Sequence, residues 1–211
     1  MTATFMMVDV PEPAPDDAMP GMVQLLAVRH GETTLNAAGR LTGQLDPPLT
    51  ARGREQGAAL APLLATGGFD VVVHSGTLRT AQTLAAAGVP EPWRVDARFL
   101  ERSFGALEGE PAARWTGAAD VHAAPPGEGE TYAALAARVA AALGDLAVDL
   151  GGSGRVLLCA HSGVLRVLRA LSGEARDAAA FLDGAAANGA VLHMAYDNAP
   201  AVPAFLTAPA S

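Results

Sequence analysis

The chain contains no lysine: all fourteen of its basic residues are arginine. That absence excludes Schiff-base catalysis and the lysine-bearing phosphate loop of many nucleotide-binding proteins. Cys159 is the single cysteine, so neither an intrachain disulfide nor a thiolate metal cluster can form. Such a chain suits a reducing compartment. No apolar run approaches the roughly 20 residues that a membrane-spanning helix needs. Positive charge is also in deficit, with a net charge of -8, which argues against nucleic acid or an anionic membrane surface as the main partner. An anion bound by this chain must be captured locally, and guanidinium is the clamp that remains.

What is present is apolar mass. Half of the 211 residues are hydrophobic, enough for a full core, and residues 21–211 read as one domain. Residues 1–20 hold Asp9, Glu12, Asp16 and Asp17 among several prolines without periodicity, and they lack the basic start and apolar core of a signal peptide. They are expected to form a flexible leader, and the protein to be cytoplasmic.

Three short apolar runs have the composition of strands buried on both faces: Leu25 to Val28, Val71 to Val73 within Asp70 to His74, and Arg155 to Ala160. Helical patterns lie between and after them. One opens at Thr50, a plausible cap, and runs to about Ala65. Others span Thr77 to Ala87, Thr131 to Leu150 and Val164 to Leu171. Trp93 to Arg98 and Ala190 to Tyr196 read as further strands, and Val202 to Leu206 as a segment that pairs at an edge. The stretch from Asn36 to Pro48 reads as an irregular loop. Prolines and glycines break every pattern at about 105–129, an irregular excursion with a short helix around Ala112 to Trp115. Alternating strands and helices predict an α/β fold, a three-layer αβα sandwich with a largely parallel central sheet.

Each of the three buried strands runs into a polar group: Arg29-His30-Gly31, His74-Ser75-Gly76 and His161-Ser162-Gly163. If the strands are parallel, these groups share one rim, at the carboxyl ends where open α/β sheets place their ligands. Phosphoryl transfer needs cations around three equatorial oxygens, a nucleophile in line, and a proton donor for the leaving oxygen. The rim supplies the first two, and Glu101 is the candidate for the third. The histidines rarely suggest metal. His30, His74, His122, His161 and His193 include no pair at the spacing of a helical zinc site and no accompanying cysteine pair. Neither a metal nor another cofactor is expected. Cys159, inside an apolar run, reads as a buried structural residue.

Five segments, spread over about residues 24–170, resemble the motifs of the histidine phosphatase superfamily in order. They are Arg29-His30-Gly31-Glu32-Thr33 with Asn36; Leu41-Thr42-Gly43 with Asp46 and Pro48-Leu49-Thr50; and Ser75-Gly76-Thr77-Leu78-Arg79-Thr80. Glu101-Arg102-Ser103-Phe104-Gly105 with Glu108-Gly109, and Ala160-His161-Ser162-Gly163, complete the set. The resemblance implies the phosphoglycerate-mutase-like fold. It also implies a metal-independent phosphatase that hydrolyses a phosphomonoester through a phosphohistidine on His30, with Glu101 as proton donor. Arg29, Arg79 and His161 would bind the phosphoryl group. Asn36, Thr42, Gly43 and Ser162 would add neutral contacts, although loop and turn formation explains Asn36 and Gly43 equally well and Ser162 is nearer a cap or turn residue than a nucleophile. Glu32, Asp46 and Glu108 read more simply as groups that hold loops. The implied enzyme is a histidine acid phosphatase-like phosphomonoesterase, its partner a small phosphorylated metabolite, and no feature sets an oligomeric state.

Two rival readings stand beside this one. Cofactor-dependent phosphoglycerate mutases of the family carry a tyrosine where Phe104 stands, together with a lysine and an arginine pair that grip the substrate carboxylate and second phosphate. This chain has no lysine and no Arg-Arg pair. A non-catalytic phospholigand-binding protein would keep the pocket and lose turnover. Residues 105–129 are expected to cover the pocket, where Arg114, Trp115 and His122 are available for recognition.

Overall fold

Strand β1 (Val23–Arg29) is almost wholly buried and faces two cores in alternation. Val23, Leu25 and Ala27 point into one cluster, while Leu26 and Val28 point into the other. The computed structural model describes residues 21–183 and 186–207 of the chain. The leader expected at 1–20 lies outside the described residues.

The chain continues through α1 (Thr34–Ala37), α2 (Ala51–Ala59), α3 (Ala61–Ala65), β2 (Val71–His74), α4 (Leu78–Ala86) and β3 (Arg94–Val95). After the irregular region come α5 (Tyr132–Asp149), β4 (Gly154–Ala160), α6 (Ser162–Leu171), α7 (Ala178–Asp183), β5 (Val191–Tyr196) and α8 (Ala204–Thr207). The five strands form one sheet in the order β3-β2-β4-β1-β5. All neighbours are parallel except β5, which runs antiparallel at the edge. Period-two alternation sorts β4 as it sorts β1. Val156, Leu158 and Ala160 join the side chains of α5 and α6 on one face, and Leu157 and Cys159 join Leu60, Leu64 and Leu84 on the other. A one-residue slip would exchange the two sets, so burial on both faces fixes the register. Truncating a fully buried strand residue such as Leu158 to alanine should cost about 2–5 kcal/mol. The result is the αβα sandwich expected from the sequence.

Register places the site. Arg29 pairs with Ala160 and His74 is level with Cys159, so the residues that follow, His30, Ser75 and His161, emerge side by side. The His30 N–H donates to the Ala160 carbonyl at 3.0 Å and ties the two histidine-bearing ends together.

Four local expectations need correction. The helix opening at Thr50 is two helices, because Pro62 at the start of α3 cannot donate to the preceding turn and the chain breaks at Leu60. Only Arg94–Val95 of the segment expected as a strand at Trp93 to Arg98 pairs with the sheet. Asp96 then caps a tight turn by accepting from the Arg98 N–H at 2.9 Å. The segment expected to pair at an edge near Val202 to Leu206 instead contains α8, whose Leu206 packs into the core beneath α5. The short helix α1 also runs into the region read as loop, ending at Ala37, with Thr33 and Asn36 forming a reciprocal capping box.

Candidate active site

His30 is 3% exposed at the end of β1. Its Nδ1 lies 2.7 Å from the Gly31 carbonyl oxygen. A carbonyl can only accept, so Nδ1 carries the proton and Nε2 keeps its lone pair. Burial, reinforced by the neighbouring Arg29 and Arg79 charges and opposed by the Gly31 bond, holds the His30 pKa well below its ordinary value. The imidazole is therefore neutral near pH 7, the form in which a histidine can attack.

Gly31 allows this geometry through close approach. A Cβ on Gly31 would collide with the Gly53 carbonyl, and one on Gly53 would collide with the Glu32 carbonyl. The two glycines let the loop after β1 sit on the first turn of α2. Glu32 fastens that contact by accepting from the Thr50 hydroxyl at 2.8 Å, and Thr50 caps α2 as expected, accepting from the Gly53 N–H at 3.0 Å.

Arg79 is fully buried in the first turn of α4. Its guanidinium donates to the carbonyls of Gly43 at 2.9 Å and Leu45 at 2.6 Å, to Asp46 at 3.4 Å, and through Nε to His161 Nδ1 at 3.3 Å. Asp46 also accepts from the Leu78 N–H through both oxygens, which places a carboxylate at the start of the same helix. These contacts hold the guanidinium rigidly at the rim. Because Arg79 Nε donates, His161 Nδ1 accepts, so its proton sits on Nε2 and is donated to Ser75 Oγ at 2.8 Å. Burial, then the charge of Arg79, depresses the His161 pKa as well. The two imidazoles stand edge to face with centroids 5.2 Å apart.

Arg29 reaches the Ala186 carbonyl through Nη1. Its Nε is buried without a partner among the described residues, a donor available to an anion at this rim. Burial lowers its pKa, opposed by Glu101. Glu101 arrives from the loop after β3. One carboxylate oxygen accepts from the Gly163 N–H at 3.0 Å and the other from the Arg102 N–H at 2.9 Å. The carboxylate is thereby set against the first turn of α6 and within electrostatic reach of both Arg29 and Arg79.

The remaining candidates form the rim's supports. Asn36 donates to the Thr42 hydroxyl at 3.3 Å, and Gly43, with φ of +50°, presents its carbonyl to Arg79. A side chain at Gly43 would strike Glu108, whose carboxylate holds the Gln44 and Phe104 N–H groups. Ser162 opens α6 and its hydroxyl points to the Ala186 carbonyl at 3.5 Å. Arg114 is exposed and pairs with Glu110 at 3.6 Å.

Sequence reasoning missed Asn188, which donates to the His30 carbonyl at 3.0 Å and to Asn36 Oδ1 at 3.3 Å. It also missed the hydroxyl cluster of Ser75, Thr77 and Thr80 behind His161. The abundance of polar residues around 74–80 was the available signal for the second; Asn188 lies in no pattern. Among the described residues, no group of three or more His, Cys, Asp or Glu side chains converges as a metal ion would require.

A family model described as histidine phosphatase superfamily (branch 1) matches residues 25–203. The chain is 34% identical over 164 residues to a metal-independent phosphoserine phosphatase of Arabidopsis thaliana, covering 70% of this chain and 67% of that one. It is also 34% identical over 164 residues to a glucosyl-3-phosphoglycerate phosphatase of Mycolicibacterium vanbaalenii, covering 70% and 72%. The solved native structure of a mycobacterial glucosyl-3-phosphoglycerate phosphatase superposes with a TM-score of 0.73 at 26% identity, covering 86% of this chain and 95% of that one.

Proposed function

Since the chain belongs to the histidine phosphatase superfamily, we propose that it hydrolyses a small phosphomonoester without a metal, through a phosphohistidine on His30. The observation that carries this reading is the His30 Nδ1–H bond to Gly31, which leaves Nε2 unprotonated at a rim holding Arg29 and Arg79. Nε2 attacks phosphorus, the phosphorus–oxygen ester bond breaks, and Glu101 gives its proton to the departing alkoxide. Water then attacks the phosphohistidine in line. Glu101 takes a proton from that water, the nitrogen–phosphorus bond breaks, and phosphate leaves with both groups restored.

Arg29 and Arg79 hold the phosphoryl oxygens, and their fixed charges match the negative charge spread over the transition state. His161 packs edge to face against His30 and sets the angle of Arg79 through the Nε bond. Asn36, Thr42, Gly43 and Ser162 border the same site and supply its neutral wall. No helix among the described residues is long and apolar enough to cross a membrane. A cytoplasmic location is proposed on the buried lone cysteine and the composition.

A screen of phosphorylated metabolites for phosphate release, run with and without exhaustive chelation, tests the reading. Release should survive chelation. Activity lost to the chelator and restored by one divalent metal would overturn metal independence, and binding without release across the panel would favour a phospholigand-binding protein.

A further inference from the structure

Gln56 stands in the second turn of α2, between the helix's two buried residues, Gly53 and Gly57. Those glycines bring the helix close to its neighbours. A Cβ on Gly53 would collide with the Glu32 carbonyl, and one on Gly57 would press on Ala86 and on the Thr83 carbonyl of α4. Residues three apart on a helix are neighbours, so the Gln56 side chain stands beside the Gly53 contact and reaches the loop after β1. There its Oε1 accepts from the Glu32 N–H at 2.7 Å in a partly buried contact. A backbone N–H can only donate, which requires the amide oxygen of Gln56 to face the loop.

The Glu32 N–H and the Gly31 carbonyl belong to one planar peptide unit. That carbonyl accepts from His30 Nδ1 at 2.7 Å. A continuous chain of hydrogen bonds therefore runs from Gln56 through the peptide to the imidazole. Bonds in such a chain polarise one another, so an acceptor on the N–H makes the carbonyl a better partner for Nδ1–H. Gly31 has no Cβ to resist rotation of the peptide that follows it. Were that plane to turn over, an N–H would face His30 Nδ1 in place of the carbonyl. Nδ1 would then have to accept, the ring proton would sit on Nε2, and the lone pair that attacks phosphorus would be lost. The peptide before Gly31 has its own support, since the Gly31 N–H donates to Thr83 Oγ1 at 3.0 Å and the Thr83 hydroxyl donates to the Arg79 carbonyl at 2.8 Å.

We propose that Gln56 is a positioning residue for the nucleophile, acting through the Gly31–Glu32 peptide to hold His30 in its Nδ1–H form. The kinetic consequence rests on the phosphatase reading of the site; the tautomer can be read without it.

Long-range proton–nitrogen correlation spectra of the histidine rings at neutral pH, with His30→Ala identifying the His30 signals, measure that tautomer. The wild-type ring should be protonated on Nδ1 alone. Gln56→Met keeps the length of the side chain without a comparable acceptor, and part of the His30 population should move to Nε2–H. Gln56→Glu restores an acceptor and should restore the Nδ1–H form. An unchanged tautomer in Gln56→Met, or a wild-type ring protonated on Nε2, would overturn the proposal. Single-turnover phosphorylation of His30 should slow in Gln56→Met by roughly threefold to tenfold, the worth of one net hydrogen bond. The slowing should be equal for an alkyl and a nitrophenyl ester, with substrate affinity unchanged because Arg29 and Arg79 are untouched, and Gln56→Glu should recover most of the rate. A loss confined to the alkyl ester, or one expressed only as weaker binding, would also overturn the proposal. If Gln56→Met fails to fold by circular dichroism, Gln56→Asn, whose amide falls one methylene short, replaces it with the same expected and contrary results. If the wild-type chain is phosphorylated by neither ester, the phosphatase reading has failed separately, and the spectra alone decide the role of Gln56.

Discussion

Glu101 and Gly163 are fitted to each other. The Gly163 N–H donates to one oxygen of the Glu101 carboxylate at 3.0 Å, and a Cβ on Gly163 would collide with the other. The proposed acid is thus seated on the first turn of α6 by a residue that has no side chain.

Gly163→Ala separates seating from stability. Alanine gains about 1 kcal/mol over glycine in a helix, which offsets part of the collision, so the melting temperature should stay near that of the wild-type chain. Displacing the carboxylate should lower kcat on alkyl phosphates by about tenfold or more, since small misplacements of a reacting group are amplified. Full activity on alkyl phosphates would show that the acid does not need this seat.

The buried histidines predict how stability depends on pH. His30 and His161 have folded pKa values well below the ordinary 6.5, so below about pH 6.5 the unfolded chain binds protons that the folded chain refuses. Stability should be level above that pH and fall as the pH drops, by about 1.4 kcal/mol per pH unit for each histidine. His74 and His193 are shifted in the same direction. Urea unfolding at a series of pH values, repeated with His161→Gln, measures the slope. Stability that rises on acidification, or a slope unchanged by the substitution, would contradict the assignment of neutral buried imidazoles.

Much of this site is legible in the sequence because its parts hang on the strongest local signals. Apolar runs buried on both faces announce β1, β2 and β4, and the polar residues that end them must reach a common rim once the strands are parallel. Other parts depend on contacts between distant segments. Asn188 meets the His30 carbonyl across 158 positions, and no periodicity marks it. At 204–207 Phe205 and Thr207 carry a strand signal, and the packing of Leu206 into the core decides in favour of a helix.

The role of Glu101 depends on what the leaving group needs. An alkoxide is a strong base and requires a proton as it departs, whereas a nitrophenolate leaves without one. Glu101→Gln retains size and hydrogen bonding, so single-turnover phosphorylation of His30 should slow by roughly a hundredfold or more for an alkyl ester and far less for the nitrophenyl ester. Steady-state rates would fall for both, because the same carboxylate assists water in the second step. Equal slowing of the phosphorylation step for the two esters would move the acid elsewhere, with Glu32 and Glu108 next to examine.

The covalent intermediate is the most direct measurement of the whole account. Mixing the chain with substrate and quenching rapidly without acid should trap a phosphoryl group that is stable in base and labile in acid, and peptide mapping should place it on His30. His30→Ala should trap none. A base-labile adduct, or one on Ser162, would contradict the phosphohistidine mechanism.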